Sequence, residues 1–266
     1  MTIGQPTSVI IPSKDRPDFL TRIAIGLATQ AGEYHVTVVD NGTDHETSNI
    51  CARFDWRRVV LPEAGPFSFS HLCNVGVQFA VQTRDVILLN NDVILRPQSL
   101  DYLANSHPDW PILGALLINS NGTVNHAGTV FQGTQPLHLG RGDDPARWMF
   151  EPCAQVPMCT FAAVRIQRQL YTDLGGLDED YYFGYEDTDF CLRAAECGAG
   201  TGVCRSAVIE HDEFGTRTRD SDDRNAGLFA SRWITTGRAV AALQGIVTGD
   251  RTYSSESVGP GQRSNG

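Results

Sequence analysis

Three carboxylates lie within four positions of the stretch "YYFGYEDTDFCLRAAECG", which covers residues 181–198. Glu186, Asp187 and Asp189 follow a run of aromatic residues and precede a segment with helical periodicity. One interpretation is structural, because acidic residues in the first turn stabilise the positive end of a helix. The other is chemical, because a carboxylate beside aromatic side chains can serve as a general base in a ligand site.

A second group that could do chemistry is Asn90, Asn91 and Asp92, which follows the apolar run "DVILL". A buried strand that ends there would hold the Asp92 carboxylate rigidly at the edge of a sheet. Such a hard oxygen ligand suits Mg²⁺ or Mn²⁺. The alternative is a polar strand end that leads into a turn.

Alternating strands and helices must position these residues. The first half predicts strands at "TSVIIPS", "HVTVVDN", "RRVVLPE" and "DVILLNND", with helices between them. This alternation is typical of an α/β fold with one Rossmann-like, mostly parallel sheet flanked by helices. Three strands lead into Ser13, Asp40 and Asp92, at the edge where open α/β sheets bind ligands.

The second half is less regular. It predicts strands at "PILGALLIN", "VNHAGTVFQ", "QVPMCTFAAV" and "GVCRSAVIEH", and a long loop at "GTQPLHLGRGDDPARWMFEP". The last helix carries Phe229, Trp233, Val240 and Leu243 along one stripe. We therefore expect one domain over residues 1–248, with a nucleotide-binding half at about 7–110 and an acceptor and catalytic half of strands and loops at about 111–245, followed by a disordered tail at 249–266.

Composition excludes several classes of protein. A formal net charge of −10 argues against a nucleic-acid partner, which needs a basic face. No apolar stretch is long enough to span a bilayer, and the first residues do not resemble a signal peptide. We expect a protein of the cytoplasm, or one that is peripheral to the inner face of the membrane. The seven cysteines contain no Cys-x-x-Cys pair, which predicts reduced and mostly buried thiols.

Taken in order, the motifs resemble the family 2 glycosyltransferases, which are inverting enzymes of the GT-A fold with nucleotide-sugar donors. They are "SVIIPSKDRP", "VTVVDNGTD", "FSFSHLCNVGVQFA", "VILLNNDV", "VNHAGTVFQG", "DLGGLDEDYYFGYEDTDFCLRAAECG" and "AVIEHDEFG". The resemblance covers roughly residues 7–233. Its "FSFS", "HAG" and "HLGRGD" elements are most similar to bacterial rhamnosyltransferase-like enzymes of surface polysaccharide synthesis.

This resemblance implies which residues hold the donor. Pro12 and Asp40 match positions that hold the nucleoside, with Asp40 accepting a hydrogen bond from the base. Asn74 and Asn91 fall among the other nucleotide-binding positions. His71 stands where relatives often carry an Arg near the diphosphate, so the donor's charge would be less well neutralised.

The resemblance also implies a metal site and a base. Asp92 lies on the family's Asp-x-Asp motif, where Asn90 replaces the first acid, and His211 matches a second metal ligand. Asp187 matches the catalytic base, and Glu186 lines the acceptor side together with Tyr185. We expect Asp189 to cap or tighten the helix. His126 and His138 lie in or near the acceptor loop and are interpreted as structural histidines.

The predicted function is metal-dependent, inverting transfer of a monosaccharide from a UDP- or dTDP-sugar to a hydroxyl of a glycan, lipid-linked or small-molecule acceptor. The alternative is a catalytically silent GT-A domain that binds nucleotide or glycan. A sugar-nucleotide pyrophosphorylase would need a Gly-rich, Arg-containing loop after the first strand, and "IPSKDRP" is not such a loop. Donor sugar, acceptor and pathway depend on pocket shape, which the sequence does not specify.

Overall fold

The computed structural model describes residues 5–62, 67–182, 184–211 and 219–247. The predicted tail at 249–266 lies outside these residues, as does Phe183 of the aromatic run. In the first half, strands and helices alternate as predicted. They are β1 (Thr7–Ser13), α1 (Pro17–Leu27), β2 (Tyr34–Asp40), α2 (His45–Arg53), β3 (Arg57–Val60), α3 (Phe69–Phe79) and β4 (Asp85–Leu89).

The second half contains more and shorter strands. They and the helices between them are β5 (Val93–Leu95), α4 (Ser99–Asn105), β6 (Ile112–Ile118), β7 (Val124–His126), β8 (Thr129–Gln132), β9 (Gln135–His138), β10 (Cys153–Val156), β11 (Ala163–Gln167), α5 (Arg168–Asp173), α6 (Glu186–Glu196), β12 (Thr201–His211), α7 (Arg219–Phe229) and α8 (Arg238–Val247). A 3₁₀ turn covers Pro145–Arg147, and a π-helix covers Ala230–Ile234 between α7 and α8.

One large sheet runs through the molecule in the order β10-β12-β6-β11-β4-β1-β2-β3. The four strands β4, β1, β2 and β3 pair in parallel, and β6 pairs in parallel with β12. Because β11 is antiparallel to both β4 and β6, these two strands point the same way. The carboxyl ends of β1, β2, β4, β6 and β12 therefore lie at one edge, and the predicted α/β architecture is confirmed.

The sheet is buried on both faces, because successive residues of its strands enter two different cores. On β1, Val9 and Ile11 pack in the core that contains residues of α1, α2 and α4. Ile10, between them, packs in the core that contains residues of α3 and α6. Six of the seven cysteines are buried and Cys153 is half-buried, as expected of thiols that fill core positions.

Four sequence predictions in the second half were wrong in detail. "QVPMCTFAAV" is not one strand, because β10 ends at Val156 and β11 begins only at Ala163. "VNHAGTVFQ" is not one strand, because the chain turns at Gly128 (φ 126°) and separates β7 from β8. Part of the predicted long loop is ordered as β9, which pairs with β8 in an antiparallel hairpin. The final stripe is also broken, because the chain turns at Gly237 (φ 71°) between the π-helix and α8; Trp233 is buried whereas Val240 is 61% exposed.

Within the described residues, no helix is both long enough and apolar enough to cross a membrane.

Candidate active site

Asp92 and His211 face one another at the carboxyl edge of the sheet. His211, the last residue of β12, is paired with Val93 of β5, so Asp92 lies directly beside it. The Oδ1 atom of Asp92 is 3.3 Å from Nε2 of His211, and the side chains are 17% and 11% exposed. In the described part of the chain, Asp92 Oδ1, His211 Nδ1 and Asn90 Oδ1 are buried without a hydrogen-bond partner.

This pair fits a divalent cation. A carboxylate oxygen and an imidazole nitrogen that converge in a buried position are suitable ligands for Mn²⁺ or Mg²⁺. Among the described residues, no cluster of three or more His, Cys, Asp or Glu side chains could hold a metal by itself. A cation at this position would take its other ligands from a bound phosphate and water, which is usual for Mg²⁺ in phosphate-binding sites.

Asn91 and Pro12 lie beside this pair. Asn91 Nδ2 donates to Ser13 Oγ at 3.3 Å. This hydrogen bond connects the metal motif, residues 90–92, to the end of β1. Pro12 is buried in β1 and paired with Val39 of β2. In the loop after β1, the hydrogen bond with Asp18 is the main cause that raises the pKa of Arg16, and the negative charge of Asp92 adds to it. The positively charged guanidinium of Arg16 therefore lies near the metal motif.

Asp40 ends β2 at the same edge, but the side chain of Arg58 covers its carboxylate. Its Oδ1 accepts from the Gly42 backbone N–H at 2.9 Å. Its Oδ2 accepts from Arg58 Nε at 2.9 Å and from Arg58 Nη2 at 2.6 Å. The side chain of Asp40 is 1% exposed and that of Arg58 is 26% exposed. Sequence reasoning missed Arg58, because only the pairing of β2 with β3 brings it to Asp40.

His71 and Asn74 lie on one face of α3 and both contact Glu179. His71 Nδ1 is 3.0 Å from Glu179 Oε2, and Asn74 Nδ2 donates to Oε1 at 2.9 Å. Asn74 also donates to the carbonyl of Leu177 and accepts from the Leu177 N–H and the Tyr171 hydroxyl. All the hydrogen-bonding capacity of this amide is used within the chain. These hydrogen bonds of α3 with Leu177 and Glu179 fix the turn that precedes the acidic stretch.

The three acids Glu186, Asp187 and Asp189 lie in the first turn of α6, and each has different contacts. Glu186 is 8% exposed. The pKa of Cys73 in α3 is raised mainly by the burial of that thiol, and the negative charge of Glu186 raises it further. Asp187 is half-buried, and its Oδ1 accepts from the N–H of Thr188 at 2.6 Å and from its hydroxyl at 3.2 Å. Asp187 Oδ2 makes no hydrogen bond with the described residues, so this oxygen can accept one from a ligand.

Asp189 has a structural role, as the sequence predicted. Its Oδ2 accepts from Arg193 Nε at 2.7 Å, one turn further along α6. Its Oδ1 accepts from Trp233 Nε1 in the π-helix, also at 2.7 Å. The first bond tightens α6 and the second holds the start of this helix against the C-terminal helices. Trp233 lies 44 residues further along the chain, so no local signal could have identified this contact.

A short segment before β11 connects the metal motif with α6. The N–H of Asn90 donates to the carbonyl of Ala162 at 2.8 Å, and Cys191 Sγ of α6 lies 3.8 Å from the carbonyl of Cys159. A hydrogen bond with Cys191 and burial are the main causes that raise the pKa of Cys159, and the negative charge of Asp187 also contributes. Asp187 and Asp92 therefore both lie near this segment, at the same end of the sheet.

His126 is a structural histidine next to this segment. It is fully buried in β7, and its Nε2 accepts from the Thr160 N–H at 3.1 Å. His138 of the β8–β9 hairpin packs edge-on against it, with 4.7 Å between ring centroids. Burial, followed by the charges of His138, His211 and Arg141, keeps the pKa of His126 well below its usual value. A neutral His126 can serve as the acceptor that fixes Thr160.

The Trp233–Asp189 bond leads to a prediction about stability. We expect Trp233→Phe to lower the free energy of unfolding by about 2–4 kcal/mol, through a lost hydrogen bond to a buried carboxylate and a small cavity. The control is Trp148→Phe, because the Trp148 indole also donates to a carboxylate, Asp143, but from a partly exposed loop. There we expect a loss below about 1 kcal/mol. Urea denaturation measures both, and equal losses would contradict a special role for Trp233.

Comparison with known proteins places this geometry among glycosyltransferases. The family model "Glycosyltransferase like family 2" matches residues 5–226. The O-antigen biosynthesis protein RfbC of Myxococcus xanthus is 27% identical over 240 residues, which are 82% of this chain and 18% of that protein. The low-salt glycan biosynthesis hexosyltransferase Agl10 of Haloferax volcanii is 23% identical over 201 residues, which are 71% of this chain and 62% of that protein. The chain thus spans less than two thirds of either relative.

Solved structures with the same fold include the following three. GalNAc-T7 with UDP, GalNAc and Mn²⁺ superposes with a TM-score of 0.65 at 12% identity, over 94% of this chain and 56% of that one. The mannosyltransferase PcManGT of Pyrobaculum calidifontis with GDP-Man and Mn²⁺ gives 0.57 at 14% identity, over 93% and 76%. S. aureus TarS gives 0.56 at 15% identity, over 87% and 74%. The chain has the GT-A fold.

Proposed function

Because the chain belongs to glycosyltransferase-like family 2, we propose that it transfers a monosaccharide from a nucleoside diphosphate sugar to an acceptor hydroxyl, with inversion at the anomeric carbon. The observation that carries this proposal is the placement of two carboxylates at one edge of the sheet. Asp92 is paired with His211, and Asp187 has one oxygen available to a ligand. Inverting transfer to a hydroxyl needs one group for the leaving diphosphate and another for the proton.

The donor side of the proposed reaction uses Asp92 and His211 as the ligands of a divalent cation. When bound, Mn²⁺ or Mg²⁺ would neutralise the charge that develops on the leaving diphosphate, so no general acid is required. Asn91 is already tied to Ser13 at the end of β1 and would line the phosphate side. The structural neighbours GalNAc-T7 and PcManGT were solved with Mn²⁺ and a nucleotide or nucleotide-sugar, which supports the cation proposal.

The acceptor side uses Asp187 as the general base. Thr188 donates two hydrogen bonds to Oδ1 and so orients the carboxylate. Oδ2 would then accept the proton of the attacking hydroxyl, which attacks the sugar from the face opposite the diphosphate. We place Glu186 on the acceptor side of the same helix turn, as the sequence motif implies.

The donors that we propose are UDP- and dTDP-sugars. The proposed acceptor is a glycan, a lipid-linked sugar or a small molecule. The names of RfbC and Agl10 refer to O-antigen and glycan biosynthesis, which supports polysaccharide assembly as the setting. Such assembly is compatible with a protein in the cytoplasm or at the inner face of the membrane. No nucleic-acid partner is proposed, since the net charge is −10.

The second candidate is a silent GT-A domain that binds nucleotide or glycan without turnover, and Asn90 in place of the first acid of the metal motif favours it. Release of free nucleoside diphosphate distinguishes the two. We expect release from a UDP- or dTDP-sugar in the presence of an acceptor mixture and Mn²⁺, faster than any hydrolysis without acceptor. Nucleotide binding without release from any donor in a panel that also includes GDP-sugars would favour the silent domain.

A further inference from the structure

We infer that Arg58, held in place by Asp40, reads the nucleobase of the donor and selects bases whose edge carries carbonyl oxygens. This inference rests on the proposed function, since it names the part of the donor that Arg58, positioned by Asp40, recognises. It also changes the role that the sequence suggested for Asp40. The carboxylate becomes the positioning residue, and the guanidinium becomes the group that touches the base.

The burial of Asp40 is the first argument. Both of its oxygens are occupied, Oδ1 by the Gly42 N–H and Oδ2 by two N–H groups of Arg58, and its side chain is 1% exposed. A base that reaches this end of β2 therefore cannot meet a bare carboxylate. It meets the guanidinium that covers it, of which about a quarter remains exposed (26%).

The remaining donors of Arg58 are the second argument. Nε and Nη2 are directed at Asp40, whereas Nη1 makes no hydrogen bond with the described residues. The thiol of Cys51, on α2, is buried close to this pair. Burial raises the pKa of Cys51 to about 11, and the charges of Arg58 and Asp40 act on that pKa in opposite directions. The guanidinium donors that Asp40 does not use therefore define the recognition surface of the pair.

The position of this surface is the third argument. Asp40 ends β2, and the N–H of the next residue, Asn41, donates to the carbonyl of Ser13 at the end of β1. Asn91 of the metal motif donates to the Ser13 hydroxyl. The edge therefore leads from Asp92 and His211 through Ser13 to Arg58. A nucleotide with its diphosphate at the metal pair would extend its base along this edge.

The chemistry of the bases then determines the selectivity. A guanidinium only donates hydrogen bonds. Uracil and thymine present carbonyl oxygens on both sides of the ring N–H, and guanine presents O6 and N7 along one edge. Adenine and cytosine carry an amino group where guanine and uracil carry a carbonyl, so they would oppose one donor with another. We expect UDP, dTDP or GDP to bind more tightly than ADP and CDP.

The experiment measures the affinities of UDP, dTDP, GDP, ADP and CDP by calorimetry with Mn²⁺, for the wild type and for Arg58→Met. We expect the variant to bind the preferred nucleotide about 10- to 100-fold more weakly, as for one or two hydrogen bonds from a charged group, with ADP little changed. Arg57→Met is the matched control. Arg57 is the preceding residue of β3 and carries the same charge, but it donates to the carbonyl of Phe79 at 2.6 Å. It should keep the discrimination.

Several outcomes would overturn the inference. Unchanged or tighter UDP binding in Arg58→Met would mean that uncovered Asp40 reads the base itself. An equal loss for all five nucleotides would mean that Arg58 acts only through charge or folding. Arg58→Lys serves as the second variant if Arg58→Met does not fold. It keeps an ion pair with Asp40, but its single ammonium nitrogen is engaged there and no second nitrogen takes the place of Nη1, so it should also lose discrimination. Failure of the wild type to bind any of the five would instead refute the proposed function.

Discussion

Asp187→Asn is expected to leave the fold and donor affinity intact while turnover falls by about 10²–10⁴-fold, the usual contribution of a general base. The substitution preserves the shape of the side chain. The amide oxygen that replaces Oδ1 could still accept from Thr188, so the helix start should be retained. The atom that would take the proton, however, becomes part of an amide. Donor binding by calorimetry and nucleoside diphosphate release should be measured on the same preparation.

The matched control for this experiment is Asp109→Asn. Asp109 is exposed and precedes β6, so it lies at the opposite edge of the sheet, and the same chemical change there should leave turnover unaltered. Near-normal turnover of Asp187→Asn would show that another group accepts the proton. Loss of folding would mean that Asp187 chiefly supports the first turn of α6, which is the structural interpretation of the acidic stretch.

The elements that position these residues were largely predictable. Three of the four strands of the first half are short apolar runs that lead into a polar residue, and helices between the strands carry apolar residues at helical spacing. Such signals are local, so they indicate both the type of element and the direction of the sheet. Because parallel strands share a carboxyl edge, the ends at Ser13, Asp40 and Asp92 could be assigned to one edge before the structure was known.

What could not be predicted depends on contacts between distant or irregular segments. Arg58 is an ordinary basic residue in "RRVV", and its role follows only from the pairing of β3 with β2. Trp233 reaches Asp189 from a π-helix between α7 and α8, and helical periodicity does not anticipate such an irregular segment. Gly128 divides a predicted strand because glycine adopts a positive φ at little cost.

The site itself was predicted from the resemblance more than from the residues. The spacing in "NND" is compatible with a metal ligand or with a turn, and "YED" with a base or with a helix start. The structure adds that Asp92 faces His211 and that one Asp187 oxygen is available. It also shows that Asn74 and His71 both contact Glu179, which was not anticipated. For these two residues, nucleotide binding stays a prediction.

The second large effect is expected at the metal pair. Chelation with excess EDTA should abolish activity, and Mn²⁺ or Mg²⁺ should restore it, because the leaving diphosphate would otherwise carry its charge without a counterion. Asp92→Asn and His211→Ala should weaken Mn²⁺ binding in the presence of UDP by at least about 10- to 100-fold, since changes to outer-shell partners alone have effects of that size. The free Mn²⁺ signal in electron paramagnetic resonance measures this binding without any turnover.

The control at this site is His35→Ala. His35 lies near the start of β2, at the opposite edge of the sheet, and pairs with Glu33 at the surface. Its removal should leave Mn²⁺ binding unchanged, so a loss specific to His211 would assign the ion to the carboxyl edge. Asp92→Asn should have the larger effect of the two, because it removes the only carboxylate of the pair, and a hard divalent cation prefers charged oxygen to imidazole nitrogen. Full activity in excess EDTA would contradict the metal proposal.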